Sequence, residues 1–91
     1  MRCEEKVPGG KLVCVEVWAE GSKVKKVKIT GDFFLHPEDA IDPLERALAG
    51  SPLSIDEAEV AARFAKALGD AQLIGASCDD LARIFAKAVN G

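Results

Sequence analysis

Two adjacent phenylalanines, Phe33 and Phe34, stand where a strand-like pattern runs into a helix start, in the stretch Lys28-Ile29-Thr30-Gly31-Asp32-Phe33-Phe34-Leu35-His36-Pro37. In an extended backbone, neighbouring side chains point to opposite faces. Both rings enter one core only if the strand bulges or bends there. One of them is therefore expected at the surface, or under something other than this domain's own core. The chain has four Phe, one Trp and no Tyr. A spare aromatic at such a junction points to a docking surface.

Residues 1–91 are expected to form a single domain. A chain this short buries roughly 60–65% of the surface its unfolded form exposes, so its core is modest. Hydrophobic residues make up 48% and charged residues 30%, a globular composition. No run approaches the roughly 20 apolar residues of a membrane span. The segment Met1–Lys6 lacks the apolar stretch of a signal peptide. A soluble, cytoplasmic protein is expected. The net charge of −3 is unevenly spread: residues 1–28 carry seven Lys/Arg against four acids, the remainder five against eleven. A basic sheet edge and an acidic helical half follow. Cys3, Cys14 and Cys78 are odd in number and have no C-x-x-C spacing, so they read as reduced and non-catalytic.

Val7-Pro8-Gly9-Gly10 carries Pro and Gly at the two central positions of a type II turn. Leu12 to Ala19 alternates as a strand, with Val13, Val15, Val17 and Ala19 on one face and Leu12, Cys14, Glu16 and Trp18 on the other. A hairpin turn at Glu20–Lys23 leads into a strand from Val24 to Thr30 with Val27 and Ile29 inward. Lys23 and Lys25 share the parity of Val27, so either the core face begins partway along or a bulge shifts the register. A weak strand from Cys3 to Val7 adds an edge. The period then changes from two to about 3.6. Pro37 is placed in the first helical turn, with Ile41, Leu44 and Leu48 on one stripe and Gly50 as terminator. Ser54-Ile55-Asp56-Glu57 reads as a capping box for a helix burying Val60, Phe64 and Leu68 and stopping near Gly69. Ser77–Asp80 opens a third, with Leu81, Ile84, Phe85 and Val89 inward. The fold class is α+β: a small antiparallel meander of two or three strands, then about three helices packed mainly on one face.

No catalytic set assembles from these residues. Pro8-Gly9-Gly10-Lys11 precedes a strand and lacks the Gly-Lys-Ser/Thr ending of a phosphate loop. It reads as a tight turn whose glycines also let a backbone approach a ligand or partner. The run Lys23–Lys28 lacks stacking aromatics other than Trp18, which disfavours nucleic acid. It reads as a solvated edge or as a contact for an acidic partner. His36 is the only histidine, so no second one joins it in a metal site. It reads as a polar residue at a helix start. Asp32 is expected to bond nearby backbone amides, and Gly31 to allow a positive φ or another backbone's close approach. Trp18 either covers the far side of the sheet or belongs to an interface.

The turn Lys6-Val7-Pro8-Gly9-Gly10-Lys11-Leu12-Val13, with Ile29-Thr30-Gly31-Asp32-Phe33-Phe34-Leu35-His36-Pro37-Glu38 further along, resembles the C-terminal accessory domain of lipoate–protein ligases. The resemblance is to the form that archaea carry as a separate small protein, and it covers roughly residues 6–50. It implies a large catalytic subunit that binds ATP, Mg and lipoate, makes lipoyl-adenylate and transfers lipoyl to an acceptor lysine. Acceptors would be the E2 of 2-oxoacid dehydrogenases or glycine-cleavage H protein. The small subunit would be needed for activation, covering or ordering the active site, and would hold no cofactor by itself. On this reading Gly9, Gly10, Lys11, Trp18, Gly31, Asp32 and His36 face the large subunit, together with either Phe33 or Phe34. The alternative is a stand-alone scaffold protein handling sulfur or iron–sulfur groups through its cysteines and sheet surface.

Overall fold

A computed structural model describes all residues, Met1 to Gly91. Three antiparallel strands form the main sheet in the order β1 (Arg2–Lys6), β2 (Leu12–Glu20), β3 (Lys23–Gly31). The alternation read from the sequence holds along most of β2 and β3. Val13, Val15, Val17, Val27 and Ile29 are buried on the inner face. The lysine parity problem is solved by a bulge. Trp18 pairs with Lys26 and Ala19 with Val24, which leaves Lys25 without a partner and turns Val24 into the core. Ala19, expected inward, is exposed, because it lies beyond the bulge at the end of the strand.

The helical layer covers the inner face alone. A single 3₁₀ turn, Glu38–Ala40, leads into the short α1 (Ile41–Arg46), which lies along β3. The longer α2 (Glu57–Leu68) packs on α3 (Cys78–Asn90), and α3 crosses β1 and β2. Phe64, Phe85, Leu44, Leu48, Leu81 and Ile84 are fully buried between these layers. Each contributes about 1.5–3 kcal/mol of burial free energy before entropy is counted. Leu68, Ile41 and Val89, expected inward, are half-buried at the margin of this core. Across the layers, the Glu5 carboxylate of β1 accepts from Arg83 Nε at 2.9 Å and pairs with Lys87, both on α3.

Two helix starts differ from the sequence reading. Pro37 keeps an extended backbone, with ψ at 156°, because the chain is still leaving a strand there. The capping box expected at Ser54 does not form: α2 begins at Glu57 behind Asp56, and no side chain caps it. Residues 50–53 are instead held against the β2–β3 hairpin. Val24 N–H donates to Ser51 O at 2.8 Å and Leu53 N–H to Ser22 O at 2.8 Å, and Ile55 N–H closes a turn on Pro52 O at 3.0 Å. That turn uses Ser54 before a helix can start on it. The capping box at Ser77 is complete, with Ser77 Oγ accepting from Asp80 N–H and Asp80 Oδ2 from Ser77 N–H, each at 3.0 Å.

A second, two-stranded sheet was not legible beforehand. β4 (Phe34–His36) and β5 (Gln72–Ile74) pair antiparallel, Phe34 opposite Ile74, Leu35 opposite Leu73 and His36 opposite Gln72. His36 therefore sits on a strand and not at a helix start.

Candidate partner interface

The junction after β3 is built by close backbone packing. Gly31 has φ +151°, and a Cβ there would lie 2.3 Å from Leu12 O and 2.9 Å from Val13 Cα. Only glycine lets β3 end so tightly against β2. Asp32 N–H donates to Leu12 O at 2.8 Å and continues that grip. The Asp32 carboxylate, expected to bond nearby amides, is exposed and makes no such bond. The main chain has already satisfied the turn.

The strand then breaks, and the two phenylalanines part company. Phe33 packs against the core and is half-buried. Phe34 is 61% exposed, and its cross-strand partner Ile74 is 48% exposed. The ribbon's pleat explains the division. Leu35 and Leu73 face inward, while Phe34, His36, Gln72 and Ile74 share the outer side. Thus the expected exposed aromatic exists, it is Phe34, and it is doubled by an isoleucine.

The glycine turn reaches the same place. Val7 O accepts from Gly10 N–H at 3.0 Å, and Gly9 and Gly10 have φ of +98° and +80°, the type II geometry expected from Pro8-Gly9. Lys11 extends from that turn towards Gly75. A Cβ on Gly75 would stand 3.4 Å from Phe33 Cα and 3.7 Å from Lys11 Cγ. Lys11, Gly31, Asp32, Phe33 and Phe34 thus converge on one end of the molecule, with Gly9 and Gly10 behind them. Beside Phe34, a cleft of about 360 Å³ is lined in part by Ile29 and Gly31 of β3 and by Phe33, Leu35 and His36.

Trp18 is not part of this cluster. Val13 faces Gly31, whereas Trp18 lies five residues further along β2, about 17 Å away at 3.4 Å per residue. It stands on the outer sheet face with Lys26 Nζ 5.1 Å from its ring centroid. Ile74 and Leu73 were missed in the sequence. Their only signal was the adjacent apolar pair Leu73-Ile74 between Gly69 and Gly75, too short and without the alternation that would register as a strand.

The cysteines do not come together. Cys3 lies on the inner side of β1, Cys14 on the outer side of β2 and Cys78 at the start of α3. Burial, with Asp79 beside it, pushes the Cys78 thiol above its ordinary value. That disfavours the thiolate needed for sulfur transfer or metal binding.

No family model matches the chain. Over 42 residues it is 43% identical to lipoate-protein ligase A subunit 2 of Thermoplasma acidophilum. That match takes in 46% of this chain and 45% of the relative, a little under half of each. The fold is similar, with a TM-score of 0.73 and 25% identity, to a chain in a solved archaeal lipoylation system, a bi-partite lipoate protein ligase and its E2 lipoyl domain from Thermoplasma acidophilum. This second likeness covers 93% of the present chain and 92% of the other. Likeness in sequence over about half of the chain and likeness in fold over nearly all of it thus agree with the turn and junction motifs, which resemble those of the lipoate–protein ligase accessory domains.

Proposed function

We propose that this chain, a single domain over residues 1–91, is the accessory small subunit of a bipartite lipoate–protein ligase. It acts with a separate large catalytic subunit in the ATP-dependent activation of lipoate to lipoyl-adenylate. The observation that carries this reading is the solvent-facing pair Phe34 and Ile74, held on a ribbon whose inner side chains are anchored in the core. An exposed apolar pair with a fixed backbone is what a partner surface needs, since little ordering remains to be done on binding.

Adenylation requires a carboxylate and a nucleotide phosphate held in line, with water excluded. ATP, Mg and lipoate would be held by the large subunit. The small subunit would order or cover that site, lowering the barrier by positioning. Gly31 and the Gly9-Gly10-Lys11 turn set the rigid base from which Phe34 projects. Lys11 brings a positive charge to the rim. The activated lipoyl group would then pass to an acceptor such as an E2 lipoyl domain or glycine-cleavage H protein.

The test is lipoyl-adenylate formation by the matching large subunit, with and without this chain. Activation that depends on the chain is expected. Equal rates in both arms would remove the accessory role.

A further inference from the structure

The helices cover one side of the three-stranded sheet and leave the other open. Ten side chains from β1, β2 and β3 point outward there, and six of them are charged. Arg2, Lys6, Lys26 and Lys28 outnumber Glu4 and Glu16, a net of two positive charges on a chain whose total is −3. Of those cations only Arg2 has a carboxylate within ion-pairing distance. Trp18, 39% exposed, lies among them with Lys26 over its ring. The face therefore has an aromatic anchor inside a field of unpaired positive charge.

This surface differs in character from the ribbon end. Phe34 and Ile74 are apolar and suit a lasting contact. The outer face is mostly charged, which suits a partner that is steered in, held briefly and released. A ligase complex has one partner of each kind: the catalytic subunit stays, while the acceptor protein comes and goes with every turnover. We infer that the outer face of the β1–β2–β3 sheet, centred on Trp18, Lys26 and Lys28, is a second docking face for an acidic surface of the lipoyl acceptor protein. This rests on the function proposed above. A nucleic-acid ligand fits less well, because Glu4 and Glu16 interrupt the positive field and only one aromatic is available for stacking.

The test uses the assembled complex of large subunit and this chain. The double variant Lys26→Glu, Lys28→Glu is expected to raise the KM for the acceptor about tenfold at low salt, with the gap closing at high salt. In parallel, fluorotryptophan placed at Trp18, the chain's single tryptophan, reports contact by fluorine NMR. Its signal should move when acceptor is added to the complex, and stay put when the large subunit alone is added. An unchanged KM with intact subunit binding would overturn this inference and leave the proposed function standing. A Trp18 signal that moves on adding the large subunit alone would assign the face to the lasting interface. Tighter binding of an oligonucleotide than of the acceptor would also overturn the proposal. Failure of the chain to bind the large subunit would remove the proposed function, and this inference with it.

Discussion

Replacing Phe34 by alanine separates a binding role from a packing role. Phe34 is 61% exposed, so of roughly 200 Å² of side-chain surface about 120 Å² still faces water in the free chain. At about 25 cal/mol per Å², covering that surface in a complex contributes about 3 kcal/mol, of which truncation to the Cβ forfeits about 2. The dissociation constant for the large subunit should therefore rise about 30-fold. The folded chain loses far less. Only the cross-strand contact with Ile74 goes, about 0.2–1 kcal/mol. Phe33→Ala should behave the opposite way. Phe33 packs on the core, and its loss should cost about 2 kcal/mol of stability, with binding affected only through unfolding. Isothermal titration of each variant with the large subunit, paired with urea unfolding of the free chain, reads both quantities. The reasoning fails if Phe34→Ala unfolds the domain, or if it leaves the affinity unchanged.

The remaining predictions concern what holds the site in place. Gly31→Ala should cost more than about 2 kcal/mol, because the new Cβ would meet Leu12 O at 2.3 Å; a thermal unfolding midpoint equal to the parent's would contradict that geometry. The Glu5 carboxylate lies below its ordinary value of 4.5, held there first by the hydrogen bond from Lys87 and then by the one from Arg83. A lowered folded-state value means stability that is present above pH 4.5 and lost as the pH falls towards the folded value. Glu5→Gln should therefore cost about 1 kcal/mol at neutral pH and flatten the loss of stability below pH 4.5. Parallel stability curves for the two proteins through that range would refute the assignment.

How much of this was readable in advance depended on the range of the interactions involved. The alternation of Val13, Val15 and Val17 is a local signal, and it gave the inner face of β2 correctly. The lysine parity along Lys23–Lys28 left two readings open, a core face beginning partway along or a bulge, and the register shift between Trp18 and Ala19 decides for the bulge. What failed were choices decided by distant partners. Ser54 has the right spacing to Glu57 for a capping box, but the backbone around it is claimed by the β2–β3 hairpin through Ser22 and Val24. β5 exists only because β4 offers it an edge, and three residues carry too little pattern to announce that. Asp32 looked like a turn-forming side chain, yet its main-chain N–H already closes the turn on Leu12.

The same distinction runs through the candidate interface. That one of two adjacent aromatics must be exposed follows from strand geometry alone. Which of them, and beside what, is decided by β5, thirty-eight residues or more further along the chain. Pairing Phe34 with Ile74 makes two separate exposed residues into one apolar face. Gly75, at the end of that strand, packs against Phe33 and brings Lys11 to the same rim. Trp18 shows the opposite outcome. It was grouped with the junction because both looked like interface residues, but the register of β2 against β3 separates them. Two aromatics that need different neighbours, one apolar and one cationic, stand on two faces with different demands. A domain that merely covered an active site would need only the first of these faces. The second, with Trp18 among Lys6, Lys26 and Lys28, is the face on which the proposed docking of a further, acidic protein rests.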